Sequence, residues 1–286
     1  MRVDSLRMPE LPLVYIIVLS WNGKDDTLEC LKSLQKVTYL NFKILVVDNA
    51  SSDGTVRAIE ENFPEVETLV NQTNLRFAGG NNVGIRYALE QGAEYILLLN
   101  NDTVVDPEFL SHMVRTAQSE FSVGMVGAKI YYHSDRHRLW YAGGKIEWWK
   151  GWVSHVGIRE VDAGQYDTAR EVDYITGCCL LAKRDVIEKV GMLDESYYIY
   201  GEDADWCVRA LRAGYKLFYV PSSVVWHKLS VSSGGHLSWF KNWNKLKSQL
   251  RIMARYAKWY HWLTIPVALI FNIIVSSTKV LLGQKH

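Results

Sequence analysis

Apolar positions in the first hundred residues follow two alternating rhythms. Residues 14–19, 42–47 and 95–99 are largely apolar runs with the length of a buried strand, and 66–70 reads as a further strand. Between them the spacing changes. Leu28, Leu31 and Leu34 recur every three residues, predicting a helix over 26–34, and further helices are predicted over 55–62 and 83–91. Ser51, Ser52 and Asp53 supply capping oxygens ahead of the second helix. Strands that are apolar throughout, separated by helices, predict an α/β fold whose mostly parallel central sheet is flanked by helices on both faces. Ligands of such sheets bind at the carboxyl ends of the strands. Polar clusters fall at those ends: Asn22, then Asp48 and Asn49, then residues 71–74, then Asp102. The first apolar run, residues 11–19, also has the size of a signal-peptide core. Pro12 interrupts it and a polar turn follows at residues 20–23, so a buried strand is the expectation.

Beyond residue 120 the periodicity fades. Residues 123–170 are rich in glycine and aromatics (Trp140, Tyr141, Trp148, Trp149, Trp152), predicting short strands and loops. Rings beside glycines suit stacking on a sugar's C–H face, and they suit an ordinary aromatic core equally well. Residues 172–182 are apolar and β-rich, 184–190 and 203–213 read as helices, and 217–220 reads as a strand stopping at Pro221. From Trp239 onward, Trp239, Trp243, Leu246, Leu250, Met253, Ala257 and Tyr260 alternate spacings of four and three, the stripe of an amphipathic helix. Lys241, Lys245, Lys247, Arg251, Arg255 and Lys258 take its other faces. Residues 262–278 then carry no charge. A membrane span needs about 20 apolar residues, so an interfacial helix is favoured over a crossing one.

Composition sharpens this division. The 286 residues are 48% hydrophobic and 22% charged, which excludes a disordered or collagen-like chain. A formal net charge of +1 conceals an asymmetry, because residues 1–205 hold all 31 acids whereas residues 206–286 hold 12 bases and no acid. A basic, aromatic-flanked tail suits an anionic membrane surface, and its apolar continuation argues for lipid over nucleic acid. Cys30, Cys178, Cys179 and Cys207 form no C-x-x-C pair, so reduced thiols are expected and no zinc site is suggested.

The candidate chemistry is carboxylate-rich. Asp102 closes an apolar strand, where it serves either a turn or a hard divalent cation. His227 is either a structural histidine or that cation's second ligand. Glu202, Asp203 and Asp205 place three acids in four residues. A helix N-terminus favours ionised carboxylates, yet capping needs one acid, and the cluster suggests a general base. Gly79, Gly80, Asn81, Asn82, Val83 and Gly84 resemble a phosphate-cradling loop before a helix. The segment matches neither G-x-G-x-x-G nor a P-loop, and the turn after the first strand is Ser20-Trp21-Asn22-Gly23, which disfavours hydride transfer.

Taken together, the segments resemble the inverting family 2 glycosyltransferases of the GT-A fold, above all their rhamnosyltransferase-like branch. The matching motifs run in order: VLSWNG (18–23), VVDNASSDGT (46–55), NLRFAGGNNVGI (74–85), LLLNNDTVV (97–105), YAGG (141–144), TGCCLLA (176–182), VGMLDESYYIYGEDADW (190–206) and VPSSVVWHK (220–228). The resemblance implies a catalytic domain over 12–235, and the basic, apolar tail reads as a helical membrane-associating segment over 236–286. It implies that Asp203 is the catalytic base and that Asp102 and His227 bind magnesium or manganese. Asp48 would contact the nucleotide base beside Asn22, with Asn49, Arg76, Gly79, Gly80, Asn82, Asn101, Glu202 and Asp205 around the donor. Two departures stand out: Asn100 replaces the first acid of the family's metal motif, and Arg76 stands where the family carries glycine. Arg76 either reaches a phosphate or points to solvent. The implied activity is metal-dependent inverting transfer of a sugar, rhamnose being the branch's suggestion, from a nucleoside-diphosphate sugar. The acceptor would be a glycan or polyprenyl-diphosphate-linked saccharide at the cytoplasmic face of the membrane, bound through residues 237–286. Two rivals remain. A sugar nucleotidyltransferase wants a basic phosphate loop after the first strand. A catalytically silent nucleotide-sugar-binding or membrane scaffold protein has no use for Asp102, Asp203 and His227.

Overall fold

The computed structural model describes residues 11–228 and 239–268. Strands and helices alternate through the first hundred residues: β1 (Val14–Ser20), α1 (Lys24–Leu34), β2 (Phe42–Asp48), α2 (Thr55–Asn62), β3 (Glu67–Val70), α3 (Arg76–Glu90) and β4 (Tyr95–Asn100). β1 pairs in parallel with β2 on one side and β4 on the other, and β3 extends the sheet beyond β2. Residues Val14 to Val18 are fully buried, so the N-terminal apolar run is an inner strand. Its alternate side chains feed two cores. Val14, Ile16 and Val18 meet Leu31 and Leu34 of α1 and Ile59 of α2, while Tyr15 and Ile17 meet Ile85 and Ala88 of α3.

The spacing predicted α3 from residue 83, and the helix begins at Arg76. Glycine and asparagine are poor helix formers, which hid its first two turns. They are helical because the missing side chains let α3 lie against the sheet. A Cβ on Gly84 would fall 2.8 Å from Ile17 Cγ2, and one on Gly80 would fall 2.8 Å from Asn49 Nδ2. The segment from Gly79 to Gly84 is therefore a packed helix and not a phosphate-cradling loop.

The second half contributes β5 (Thr103–Val105), α4 (Phe109–Ser119), β6 (Val123–Tyr132), β7 (Asp135–Tyr141), β8 (Gly144–Glu147), β9 (Trp152–His155), β10 (Arg170–Glu171), β11 (Cys179–Lys183), α5 (Arg184–Val190), α6 (Glu202–Arg212), β12 (Lys216–His227) and α7 (Trp239–Tyr256). The main sheet has ten strands and runs β10-β12-β6-β11-β4-β1-β2-β3, with β5 on β12 and β7 on β6. β11 runs antiparallel to both β4 and β6, so β6 and its parallel neighbour β12 regain the direction of β1 to β4. The sheet is thus mostly parallel, as the apolar runs predicted, while β8 and β9 form a separate hairpin. Pro221 does not end β12. The register slips between Val220 and Val224, which accommodates a residue without an N–H, and the strand continues to His227. All four cysteines are buried and free, and burial pushes the Cys30 thiol up to about 12.

A short 3-10 helix, Trp259–Leu263, follows α7. Among the described residues no helix is long and apolar enough to cross a membrane. The apolar helix expected over 262–278 runs mostly outside the described residues.

Candidate active site

Backbone strain marks the carboxyl edge of the sheet. Non-glycine residues with positive φ include Asn22 (49°) after β1, Ala50 (62°) after β2, Arg76 (62°) opening α3 and Tyr200 (69°) before α6. Such conformations cost of order 1–3 kcal/mol each and persist where the surroundings over-determine them. Asp48, the last residue of β2, is fully buried. Its Oδ1 accepts from the Ser51 N–H at 2.8 Å, while Oδ2 is buried with no partner. An orphaned carboxylate oxygen at a strand end invites a donor from a ligand. Asn22 lies beside it: its N–H donates to Ser51 Oγ at 2.8 Å and its Oδ1 accepts from the Ser52 N–H at 2.8 Å. Asn49 is engaged at both ends of its amide, donating to the Arg76 carbonyl at 3.1 Å and accepting from Asn71 at 2.8 Å. It fastens the turn after β2 to the start of α3.

One backbone turn brings together the residues expected to hold metal and to move a proton. The Asn100 N–H donates to the Cys178 carbonyl at 3.0 Å, and the neighbouring Gly177 N–H donates to Asp203 Oδ2 at 2.9 Å. The end of β4 and the start of α6 are therefore bonded to adjacent residues. A Cβ on Gly177 would lie 2.8 Å from the Phe77 ring, so the close approach needs glycine there. Asp203 Oδ1 also accepts from the Ala204 N–H at 2.8 Å. Burial raises the Asp203 carboxyl above the usual aspartate range, against these two amides, which favour its ionised form. On the other side of the turn, Asn101 Nδ2 donates to Thr27 Oγ1 at 2.9 Å. Asp102 Oδ1 lies 3.0 Å from His227 Nε2, and both side chains are nearly buried. Pairing of β5 with the end of β12 sets Thr103 opposite His227, which is how residues so distant in sequence meet.

A divalent cation fits this donor set. Among the described residues no group of three His, Cys, Asp or Glu side chains could hold a metal. Magnesium and manganese sites commonly use one or two protein groups, with substrate phosphates and water completing the shell. Asp102 and His227 converge as such a pair. His227 Nδ1 is buried without a partner, so one ring nitrogen is uncommitted while the other faces the carboxylate.

Other expected residues lie at different places. Glu202 is buried beside Asp203 and its Oε2 has no partner. Burial first, then the charge of Asp203, raises the Glu202 carboxyl well above the usual range. Asp205, expected beside the donor, is fully buried on the opposite side of α6. It accepts from Tyr197 Oη (3.2 Å) and Tyr256 Oη (2.7 Å) and pairs with Arg209 (2.9 Å) and Arg255 (3.1 Å). Asn82 donates to the Leu193 carbonyl and to Glu195 Oε1, each at 2.9 Å, and ties α3 to the segment preceding α6. Gly79 and Gly80 serve the approach of α3 to its neighbours. Arg76 is exposed, and its guanidinium stacks 3.6 Å from the Tyr198 ring centroid.

Two residues beyond the expected set also border the site. Trp140 sits edge-on to His227, with ring centroids 4.5 Å apart, and edge-on to His155 at 4.6 Å. Burial pulls the His155 imidazole down to about 4, so the ring is neutral. The glycine-aromatic composition of this stretch pointed to Trp140, but nothing local distinguished His155.

The chain matches the model of "Glycosyl transferase family 2" over residues 15–191. It is 30% identical over 240 residues to an uncharacterized protein of Sinorhizobium fredii, covering 79% of this chain and 26% of that one. An N-acetylglucosaminyl-diphospho-decaprenol L-rhamnosyltransferase of Mycobacterium tuberculosis is 27% identical over 240 residues, covering 77% of each chain. Among solved structures, a mannosyltransferase of Pyrobaculum calidifontis in complex with GDP-Man and Mn2+ superimposes with a TM-score of 0.65 at 18% identity. The match covers 96% of this chain and 76% of that one, and it shows a shared GT-A-like α/β fold. With its family model spanning more than half of the sequence, this chain belongs to glycosyltransferase family 2.

Proposed function

We propose that this glycosyltransferase is metal-dependent and inverting, and that it moves rhamnose from a nucleoside-diphosphate donor to a polyprenyl-diphosphate-linked saccharide at the cytoplasmic face of a membrane. The observation that carries the reading is the turn at Gly177 and Cys178, bonded to Asp203 on one side and to the end of β4, just before Asp102, on the other. A base and a leaving-group site must flank one reacting carbon, and this turn bonds to the two segments that would carry them. The name of the Mycobacterium tuberculosis relative supports both the sugar and the acceptor class.

Asp48 would accept from the nucleobase through its orphaned Oδ2, and Asp102 with His227 would meet the diphosphate. A bound divalent cation would neutralise negative charge developing on that leaving group. Asp203, ionised and fixed by two backbone amides, would take the proton of an acceptor hydroxyl. The hydroxyl oxygen would bond to the anomeric carbon as the carbon–oxygen bond to the diphosphate breaks on the opposite face, inverting the configuration. Glu202, whose carboxyl burial raises, would favour its neutral form beside the base.

Thermal-shift titration with dTDP-rhamnose and other nucleotide sugars, with and without manganese, tests donor and metal. Transfer from the stabilising donor to a polyprenyl-diphosphate-linked N-acetylglucosamine tests the acceptor. Stabilisation that needs manganese, followed by transfer, is the expected result. No stabilisation by any nucleotide sugar would overturn the proposal.

A further inference from the structure

The hairpin of β8 and β9 and the 3-10 helix after α7 are far apart in sequence yet packed together. Trp149 and Tyr260 have ring centroids 5.5 Å apart, Trp148 stacks on His261 at 6.2 Å, and Thr264 Oγ1 donates to the Trp149 carbonyl at 2.6 Å. Gly151, at the hairpin turn with φ of 65°, leaves room for Ile265, which a Cβ would meet at 3.0 Å. At this contact and beside it, large apolar side chains face solvent. Trp149 is 53% exposed, Trp152 37%, Trp259 78%, Trp262 39%, Leu263 70% and Val267 68%. Large exposed apolar patches on soluble proteins commonly mark interaction sites.

We propose that these six residues form one composite surface seated in the interface of an anionic bilayer. The catalytic region would contribute Trp149 and Trp152, and the tail the other four. The inference rests on the membrane reading above and deepens it, because a tail alone would tether the enzyme without orienting it. The occupant follows from charge and chain direction. Lys150 and Lys258 border the surface, the hairpin's Glu147 is paired with Lys150 at 2.7 Å, and residues 206–286 hold no acid. The sequence beyond Val267 stays uncharged to Thr278. Exposed tryptophans with neighbouring bases match the polar–apolar boundary of an anionic leaflet, where indole rings partition and lysines meet headgroups. β8 follows β7, which carries Trp140 toward His227, so seating the hairpin would fix the height of the acceptor side above the membrane plane.

Full-length protein should be co-sedimented with vesicles of phosphatidylglycerol and phosphatidylcholine, using wild type, Trp149→Ser/Trp152→Ser and Trp259→Ser/Leu263→Ser. Trp149 also packs on Tyr260, so Trp152→Ser alone is the milder variant, and melting temperatures monitor the fold. Wild type should sediment, and each double variant should lose roughly tenfold in affinity, with Trp152→Ser losing part of it. If wild type binds and the tail variant weakens while both hairpin variants match wild type, the composite surface is overturned and membrane attachment survives. If wild type does not sediment with vesicles, both fall. If the variants abolish a lipid-independent dimer instead, the surface is a protein interface and the proposal is wrong.

Discussion

Removing the Asp205 carboxylate should loosen the base without touching any ligand. The side chain is 1% exposed and receives four groups: Arg209, Arg255, Tyr197 and Tyr256. Deleting one partner of a buried ion pair costs about 3–5 kcal/mol, because the remaining charges are stranded. Two features reduce that figure here. Arg255 is 40% exposed and also pairs with Asp194, so solvent screens its share. Arg209 keeps its 2.7 Å bond to the Met192 carbonyl. Asp205→Ala should therefore lose about 2–4 kcal/mol, which for a chain of this size is roughly 3–7 °C in Tm. Tyr256→Phe removes a single hydrogen bond to the carboxylate and should lose about 1–2 kcal/mol. Urea and thermal unfolding measure both. The segment before α6 hangs on the same helix, so kcat should fall while the KM for donor changes little. An Asp205→Ala protein within about 0.5 kcal/mol of wild type would refute the view that this carboxylate joins α6 to α7.

Three further substitutions probe the site directly. Asp203→Asn should reduce transfer by about 10²–10⁴-fold while the nucleotide-sugar thermal shift persists; loss of the shift as well would assign Asp203 to donor binding. Glu202→Gln tests the protonated neighbour. A carboxyl whose folded value is raised stabilises the protein fully below its unfolded value of about 4.3, and that stability is lost as pH rises through the folded value. The variant should match wild type near that lower value and gain relative stability as pH rises, read as Tm across the range; parallel curves would contradict the assignment. Gly80→Ala would press a methyl against Leu19 and Asn49 and should cost about 1–3 kcal/mol in urea unfolding, whereas an unchanged midpoint would mean that α3 can shift freely.

Local pattern made the parallel half legible. Strands β1 to β4 and helix α2 appear almost where the apolar pattern put them, because their signals are contained within each segment, although the N-cap of α2 is Gly54 and not Ser51, Ser52 or Asp53. The first turns of α3 were hidden because their glycines answer to Ile17, Leu19 and Asn49, which other segments contribute. Helix α4 had a readable signal in Phe109, Leu110, Met113, Val114 and Ala117, all buried and helically spaced, and it sat outside the expected elements. Pro221 misled because a bulge, invisible in sequence, absorbs it. The acids of α6 show the limit at the site. Asp203 and Asp205 look equivalent in sequence, yet two residues of helix separate them by about 200°. One faces Gly177 and the other faces α7, and which is which depends on how the whole helix packs.

The segment leading to Asp203, the proposed base, is held from two directions, which bears on how the tail relates to the site. On the donor side, Asn82 of α3 grips Leu193 and Glu195, while Arg76 stacks on Tyr198. On the far side, α7 reaches the same stretch: Ser248 donates to the Ile199 carbonyl at 3.2 Å, Arg251 to Ser196, and Arg255 pairs with Asp194. Tyr200 and Gly201 then turn the chain through two left-handed residues into α6. Strained residues hold their geometry only while neighbours on both sides constrain them. A helix that charge and periodicity assign to a membrane-associating tail is thus one jaw of the clamp on Asp203. Whatever displaces α7, whether truncation or a changed footing of the aromatic surface beyond it, should reach the base through Asp205 and the 194–201 segment before it reaches the Asp102–His227 pair.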